Sequence, residues 1–217
     1  AGGATAAARL RRLDETSQII MLERGEYISF ANCGLPYYIG GVIENRDALL
    51  VQTVEGMSKR FNLDIRNFSE VVSIDPENKT ISVKNLKTNE EYKESYDELI
   101  LSPGASPTKP AIPGLDKADN VFTLRNIPDT DRIKAYVDDN RPKEAVVIGG
   151  GFIGVEMAEN LVERGVKVHL IEMLAQVMAP FDYEMAQILH GHMEDNGVDL
   201  ILGDGVDSFK NDGNTIV

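Results

Sequence analysis

One glycine pattern restricts the fold of this chain more than any other sequence feature. It has the spacing G-x-G-x-x-G and lies between a short apolar run, 145–148, and a helical pattern over 153–164. A second apolar run, 167–171, ends at the acidic Glu172. A strand, a glycine turn, a helix and a further strand form a βαβ unit that holds a dinucleotide pyrophosphate at the helix N-terminus. The three glycines are Gly149, Gly151 and Gly154.

The acidic residue bears on which dinucleotide is bound. A carboxylate at Glu172 can accept hydrogen bonds from a ribose diol and would repel a 2′-phosphate. Met173, the next residue, supplies no cation. We therefore predict NADH in preference to NADPH. The alternative is that Glu172 is only a solvated strand end.

The first residues carry a shorter set of the same signals. Two glycines precede an alanine-rich helical pattern over 4–13, and a strand pattern over 18–22 ends at Glu23. Small residues let a helix lie close to a sheet and a cofactor, and Glu23 has the place of a ribose acceptor. These signals predict a second dinucleotide unit whose first strand would precede the sequence; the alternative is an ordinary alanine-rich core helix. The glycines are Gly2 and Gly3.

The predicted helix over 4–13 has two distinct faces. At 100° per residue, one stripe is apolar and should face the core, while a stripe about a quarter turn away is polar. Two arginines on the polar stripe are either solvated or hold a phosphorylated substrate. Because the chain has a formal net charge of −13, an anionic ligand needs such a local cluster. The apolar stripe is Ala6, Leu10 and Leu13, and the polar stripe is Thr5, Arg9 and Arg12.

The stretch between the two units predicts a small antiparallel sheet and then a domain boundary. Three short β-rich runs are separated by turn signals, which is typical of antiparallel strands. Four prolines without periodicity follow between Ser102 and Gly114, and we place the boundary there. The β-rich runs are 71–74, 80–83 and 98–101.

The sequence contains a single cysteine, Cys33. It cannot form an internal disulfide, so its thiol either packs inertly or works as a nucleophile. Pro36 predicts the first turn of a helix just after the thiol, and a helix N-terminus favours the thiolate. Glycines at 34, 40 and 41 indicate close approach by a cofactor or substrate and favour the working thiol.

Composition argues against several other classes of protein. Asp and Glu number 35 against 22 Lys and Arg, which argues against general nucleic-acid binding. No apolar run approaches the roughly 20 residues of a membrane span, and the sequence opens with no signal-peptide pattern. We expect a cytoplasmic protein that binds neither nucleic acid nor a membrane and holds no metal ion.

The segment around the cysteine carries the most specific motif of the chain. It reads Ser-Phe-Ala-Asn-Cys-Gly-Leu-Pro-Tyr over Ser29–Tyr37. Together with Gly-Gly-Ala-Thr at 2–5, Ser-Pro-Gly-Ala at 102–105 and the glycine turn, it resembles the coenzyme A-disulfide reductases of the pyridine nucleotide-disulfide oxidoreductase group. The resemblance covers essentially the whole chain. Its cysteine motif is that of the single-cysteine branch, which also contains NADH oxidases, NADH peroxidases and persulfide reductases.

The resemblance implies an α/β fold of two Rossmann-like dinucleotide-binding domains, the first with an antiparallel excursion. An FAD-binding domain would cover 1–111, without its first strand and its C-terminal return segment. A truncated NAD(P)H-binding domain would cover 112–217. A further C-terminal domain, outside this sequence, would join two copies in a homodimer.

By position, the resemblance also implies which residues form the site. FAD contacts would be Gly2, Gly3, Glu23, Arg24, Val72, Ser102, Pro103 and Gly104. Contacts of the NAD(P)H unit would be Gly149, Gly151, Phe152, Ile153, Gly154, Glu156 and Glu172, with Phe152 as an aromatic gate over the flavin. Thr5, Arg9, Arg12, Ser29 and Asn32 would contact coenzyme A, and Cys33 with Asn32 would be catalytic.

The expected activity is reduction of coenzyme A disulfide, or of a related coenzyme A-linked disulfide or persulfide, by NAD(P)H through FAD. One cysteine cannot store two electrons as an internal disulfide, so a small external thiol is needed, and coenzyme A would form a mixed disulfide with Cys33. One alternative is an NADH oxidase or peroxidase that cycles Cys33 through sulfenic acid. The other is a flavin-binding redox sensor without turnover.

Overall fold

A computed structural model describes residues 2–118 and 120–210. The helices are α1 (Gly2–Leu13), α2 (Leu35–Gly40), α3 (Val54–Phe61), α4 (Ile127–Asn140), α5 (Phe152–Glu163) and α6 (Tyr183–Asp195). The strands are β1 (Ile20–Glu23), β2 (Ser29–Phe30), β3 (Leu50–Gln52), β4 (Asp64–Asn67), β5 (Ser69–Asp75), β6 (Thr80–Asn85), β7 (Glu91–Ser95), β8 (Glu144–Ile148), β9 (Lys167–Glu172) and β10 (Val198–Leu202).

Tertiary contacts divide the chain into two compact units. The first unit comprises the described residues up to 31 together with 47–105, and the second comprises 32–46 together with the described residues from 106 onward. The segment that contains Cys33 is therefore part of the second unit. The assignment of domains to 1–111 and 112–217 stays a prediction.

The core of the first unit lies between helices α1 and α3 and the parallel strand pair β1 and β4. Four side chains are buried there: Ala7, Ile28, Met57 and Leu63. Thr53 caps α3, because its hydroxyl accepts the amide N–H of Gly56 at 3.0 Å. The strand pairing places Ile20 opposite Asp64 and Glu23 opposite Asn67.

The predicted core stripe of α1 is wrong. Leu10 is 42% exposed and Leu13 is 66% exposed, whereas Ala7 is buried and Ala4 and Ala8 pack against the same core. Small side chains on that face let the helix lie close to the sheet, so the buried stripe is the alanine stripe rather than the leucine stripe.

The antiparallel excursion is a three-stranded sheet in the order β5-β6-β7. Two of its strands contain the predicted runs 71–74 and 80–83, but the third is Glu91–Ser95. The strand predicted over 98–101 is wrong. In the described part of the chain these residues pair with no strand, and Ile100 and Leu101 are more than half exposed. A β-rich composition forms a strand only where a neighbouring strand offers its backbone groups.

The second unit is built on a parallel sheet in the order β10-β9-β8. Helix α5 joins β8 to β9, which gives the βαβ unit that the glycine pattern predicts, and α6 joins β9 to β10. The core includes Val168 and Leu170 from the sheet, Ala158 from α5 and Ile39 from α2, all fully buried. The short helix α2 packs against both α4 and α5.

Candidate functional site

The glycine turn between β8 and α5 has a backbone that only glycine adopts easily. Gly149 has φ +102°, and its amide N–H donates to the carbonyl of Ile171 at 2.8 Å. A methyl group on Gly154 would lie 1.9 Å from the carbonyl oxygen of Gly149, so α5 approaches the end of β8 closely. Apart from its two chain neighbours, no described residue has an atom within 4 Å of a methyl built on Gly151, the residue before α5. The turn thus leaves open space at the N-terminus of a 12-residue helix, where free amide groups favour an anion.

Glu172 is held directly against this turn. The amide N–H of Gly150 donates to Oε2 of Glu172 at 2.7 Å, and the amide N–H of Leu174 donates to Oε1 at 2.8 Å. The carboxylate is half-buried and has a defined orientation at the end of β9. Two backbone donors leave part of its acceptor capacity unused, because a carboxylate can accept about four hydrogen bonds.

The loop that follows β9 packs against the glycine turn at Gly150. The amide N–H of Met178 donates to the carbonyl of Gly150 at 2.7 Å, and Val177 is fully buried. The amide N–H of Val177 donates to Nε2 of the buried His190 on α6 at 3.1 Å. Val177, Met178 and His190 lie in no local sequence motif, so the sequence alone does not reveal them.

Two phenyl rings lie beside the turn. Phe152, the first residue of α5, is 59% exposed, and its ring meets the ring of Phe181 edge-on with 6.3 Å between the centroids. Ile153 is also more than half exposed. Phe181 lies 29 positions after Phe152 in the sequence, so spacing alone does not predict their contact.

Glu156 lies one turn further along α5 and is half-buried. Desolvation, and to a smaller extent the charge of Glu159, raises the pKa of the Glu156 carboxyl group. Its backbone carbonyl accepts the side-chain amide of Asn160 at 2.8 Å.

Cys33 is exposed in a 3-10 turn over Asn32–Gly34 that leads directly into α2. Pro36 lies in the first turn of α2 and is buried, as the sequence pattern predicts for a helix start after the thiol. The side-chain oxygen of Asn32 accepts a hydrogen bond from Nη1 of Arg125 at 3.3 Å. Arg125 is 93 positions away in sequence, so the spacing pattern does not reveal it.

Tyr37 is a further polar group on α2. Its hydroxyl donates to Oε2 of Glu159 on α5 at 3.4 Å. The negative charge of Glu159 raises the pKa of the Tyr37 phenol, so the hydroxyl stays protonated and can act as a donor.

In the first unit, the structure brings the two N-terminal glycines next to Ser102. A methyl group on Gly2 would lie 3.5 Å from Ser102 Oγ, and one on Gly3 would lie 3.4 Å from Ser102 Cβ. Gly104 has φ +71°, and Pro103, between Ser102 and Gly104, is exposed. The first turn of α1 therefore lies against the start of the 102–104 segment.

The other predicted FAD contacts are Glu23 and the next residue, Arg24, at the end of β1, and Val72 on β5. Oε1 of Glu23, at the end of β1, accepts the amide N–H of Gly25 at 2.6 Å. Arg24 forms an exposed ion pair with Glu70 at 3.5 Å. Val72 is half exposed on β5.

The predicted polar stripe of α1 is exposed. Thr5, Arg9 and Arg12 all point away from the core, and Ser29 is half-buried on β2. Arg11 differs, because its guanidinium donates to the carbonyls of Phe61 and Asn62. Arg12 lines an open cleft of about 420 Å³, together with three further cations, Arg11, Lys59 and Arg60, and the acidic Glu15.

Two kinds of feature are absent from the part of the chain that the structure describes. No group of three or more His, Cys, Asp or Glu side chains there could hold a metal ion. Among residues 2–118 and 120–210, no helix combines the length and the apolar character needed to cross a bilayer.

Residues 1–217 match the family model of the pyridine nucleotide-disulphide oxidoreductases. The chain belongs to this family, which confirms the resemblance that its motifs carry. The predicted fold class, two Rossmann-like dinucleotide-binding domains with an antiparallel excursion in the first, is confirmed as well.

Three relatives show how similar the chain is to known members of the family. The coenzyme A disulfide reductase of Staphylococcus haemolyticus is 39% identical over 97% of this chain, and the match covers 47% of that protein. The structure of reduced CoADR-RHD from Bacillus anthracis is 66% identical with a TM-score of 0.96, over 100% of this chain and 39% of that one. An NAD-dependent persulfide reductase from A. fulgidus is 32% identical with a TM-score of 0.90, over 99% of this chain and 39% of that one. The chain thus spans about half the length of the curated relative.

Proposed function

We propose that the chain is the nucleotide-binding part of an enzyme that reduces coenzyme A disulfide, or a related coenzyme A-linked disulfide, with NADH. The observation that carries the proposal is the single exposed thiol of Cys33, in the same compact unit as a dinucleotide-type glycine turn. The relative at 39% identity is a coenzyme A disulfide reductase.

The residues present suit two dinucleotides, NADH and FAD. At the glycine turn, the close contact of Gly154 with Gly149 and the open space at Gly151 suit a pyrophosphate on the N-terminus of α5. In the first unit, Gly2 and Gly3 give α1 a similar side-chain-free start beside Ser102. A bound flavin would supply two-electron transfer between the nicotinamide and a disulfide.

Each candidate site residue then has a role that follows from its chemistry. Glu172 accepts the ribose hydroxyls of NADH, and Phe152 and Ile153 cover the nicotinamide end. Glu156 contributes to the same surface. In the first unit, we assign the FAD to the predicted set Gly2, Gly3, Glu23, Arg24, Val72, Ser102, Pro103 and Gly104.

Cys33 acts as the nucleophile toward the disulfide. Its thiolate attacks one sulfur of the substrate, a Cys33–substrate mixed disulfide forms, and the other half leaves as a thiolate that takes up a proton. Two electrons derived from one NADH then cleave the mixed disulfide, which releases the second thiol and restores Cys33. In sum, one disulfide, one NADH and one proton give two thiols and NAD⁺.

The substrate end of the site is proposed from charge. Coenzyme A carries several phosphate charges, and the chain is acidic, so it needs local cations. The exposed side chains of Arg9 and Arg12 supply them, next to Thr5 on the same stripe. Ser29 and Asn32 complete the predicted coenzyme A contacts, and Asn32 is oriented by Arg125.

A coenzyme A persulfide is a second candidate substrate. The persulfide reductase of A. fulgidus has the same fold over 99% of this chain. The chemistry at Cys33 would be the same attack on a sulfur–sulfur bond, with a different leaving group. We further propose a cytoplasmic homodimer that is joined through a C-terminal domain.

The test is the variant Cys33→Ser in the intact protein. We expect it to keep its flavin and the reduction of that flavin by NADH, and to lose reduction of coenzyme A disulfide, because only the second step uses the thiol. Stopped-flow absorbance of the flavin measures the first step, and thiol release measures the second. Intact-protein mass spectrometry should show a coenzyme A adduct on the wild-type protein that the serine variant lacks. Disulfide turnover near the wild-type rate in the variant would reject Cys33 as the nucleophile.

A further inference from the structure

Asn160 is a buried polar side chain that the proposed chemistry does not use. It lies on α5, is 1% exposed, and donates through Nδ2 to the carbonyl of Glu156 at 2.8 Å. Its Oδ1 faces Gly40, the last residue of α2. A methyl group on Gly40 would lie 2.2 Å from that oxygen and 2.9 Å from both Cβ and Cγ of Asn160. The two helices are therefore as close together as a glycine allows.

A second contact holds the same end of α2. Arg164, immediately after α5, donates through Nη1 to the carbonyl of Ile39 at 3.1 Å. Its other terminal nitrogen pairs with Asp138 on α4. Carbonyls in the last turn of a helix lack partners within the helix, so this guanidinium satisfies one of them and joins three helices.

Helix α2 transmits this placement to the thiol. It has only six residues, and Leu35, Pro36 and Ile39 are buried in the second unit. The turn with Cys33 runs into α2 without a linker. Helix α2 is fixed at its last residue, Gly40, by the contact with Asn160, and along its length by buried side chains, so the preceding turn has little freedom to move.

Helix α5 has a role at its other end as well, because it begins at the glycine turn. One helix therefore presents its N-terminus to the proposed dinucleotide and holds the Cys33 segment nine residues later, from Gly151 to Asn160. We infer that the close packing of Gly40 on Asn160 positions Cys33, because it fixes the end of α2 against α5. The inference rests on the proposed function in taking Cys33 as the reacting group.

The test begins with Gly40→Ala in the intact flavin-loaded protein. The added methyl must displace α2 from α5. Because a misplacement of about 1 Å can cost on the order of 100-fold in rate, we expect kcat for disulfide reduction to fall by about 10- to 100-fold. The KM for NADH should stay at its wild-type value, since the glycine turn is untouched. Gly191→Ala is the matched control: it makes the same change within α6, where a methyl meets no atom within 4 Å.

The exchange variant Gly40→Ala/Asn160→Gly supplies the rescue. It removes all three atoms of Asn160 that the new methyl meets, and we expect it to recover most of the lost kcat. A glycine inside α5 weakens the helix, and thermal unfolding records that effect separately from turnover. Should Gly40→Ala alone fail to fold, the exchange variant and Asn160→Ala still report on the contact.

Alkylation of Cys33 by iodoacetamide separates this inference from the proposed function. We expect Gly40→Ala to change the alkylation rate constant and the exchange variant to restore it, whether or not the protein reduces disulfides. A wild-type protein without disulfide reductase activity would reject the proposed function alone. Unchanged turnover and alkylation in Gly40→Ala, or a loss that the exchange variant leaves in place, would overturn the role of the contact between Gly40 and Asn160.

Discussion

The carboxylate of Glu172, at the end of β9, accepts hydrogen bonds from two backbone N–H groups. Its carboxylate connects the glycine turn at Gly150 to the start of the next loop at Leu174. The side chain thus has two separable effects, since it braces the turn and can accept the ribose hydroxyls of a dinucleotide. A negative charge at this place also disfavours the 2′-phosphate of NADPH.

We expect Glu172→Gln to raise the ratio of NADPH to NADH specificity constants, because glutamine keeps an acceptor oxygen but removes the charge. The change should be about 10- to 100-fold, since charge-assisted hydrogen bonds are worth roughly 1.5–3 kcal/mol. Steady-state kinetics with both nucleotides measure it. Glu172→Ala should change the ratio in the same direction and also lower the thermal unfolding temperature, because it removes the brace. An unchanged ratio in both variants would limit Glu172 to the structural role.

The local structure around single residues could be predicted from the sequence where the local pattern is strong. Cys33, the glycines of the turn and Glu172 all lie in short motifs whose spacing reflects backbone geometry. Arg125, Phe181 and Asn160 could not be predicted in this way. Their partners lie far away in sequence, and only the folded chain brings them together.

Helix α1 shows how an element can be predicted while its orientation is not. Periodicity predicts a helix and two stripes, and both exist. The stripe with the larger apolar side chains faces solvent, however, because alanines at 4, 7 and 8 permit closer packing on the sheet. Hydrophobicity alone does not distinguish a face that buries more area from one that packs at a shorter distance.

This orientation separates the roles of the three arginines on α1. Arg9 and Arg12 are exposed, whereas Arg11 is bonded to the carbonyls at the end of α3. We expect Arg9→Ala and Arg12→Ala to raise the KM for coenzyme A disulfide by about 10- to 100-fold each, with kcat little changed, since each would remove one of the proposed charge-assisted phosphate contacts. Higher ionic strength should raise the wild-type KM in the same direction.

Arg11→Ala is the matched control for these two variants. This variant should lower the unfolding temperature and leave the KM for coenzyme A disulfide near the wild-type value, because the Arg11 guanidinium bonds to backbone carbonyls within the protein. Parallel kinetics and thermal unfolding of the three variants measure this. Equal effects of all three on stability, with no effect on KM, would contradict a coenzyme A contact on this helix face.

The strands show a different limit of prediction. The run 98–101 has the composition of a strand but no neighbouring strand in the described chain, while Glu91–Ser95 is rich in charge and still pairs with β6 along its whole length. Its register places Tyr92 opposite Val83, and that apolar pair lies within an otherwise polar strand. Strand formation here depends on the partner more than on the composition of the segment.

In the second unit, charged contacts join the helices in addition to the apolar core. Arg164 joins α2, α4 and the end of α5 through Ile39 and Asp138. Arg46, at the end of the Cys33 segment, forms a two-pronged pair with Asp131 on α4 at 2.8 Å and 2.7 Å. A bidentate guanidinium–carboxylate pair fixes direction as well as distance.

The Asp138 pair predicts a pH dependence of stability. Hydrogen bonds from Arg164, and then from Lys134, lower the pKa of Asp138 in the folded protein. A lowered pKa means that the carboxylate contributes stability above its unfolded pKa of about 3.9, and that this contribution is lost as the pH falls through the folded pKa. We expect Asp138→Asn to be less stable than the wild type near pH 7, with the difference shrinking below about pH 4. Denaturant unfolding at several pH values measures it, and a difference that is constant with pH would assign the effect to packing.

For the whole molecule, the sequence predicts two nucleotide-binding units but does not predict which residues belong to each unit. The proline-rich stretch near 102–114 marks the change from one unit to the other along the chain. This stretch gives no information on the segment 32–46. That segment belongs to the second unit because its helix α2 packs against α4 and α5. Those contacts depend on side chains that have no sequence pattern in common.

The second unit is assembled from two separated stretches of chain, and this affects the order in which it can form. During synthesis, the segment 32–46 leaves the ribosome well before α4 and α5 exist, so Ile39 lacks its core partners from these helices until the later stretch is complete. By the same reasoning, a nucleotide-binding module cut out of this protein at residue 106 would lack Ile39 in its core, and a graft into another scaffold should include 32–46 on a short linker.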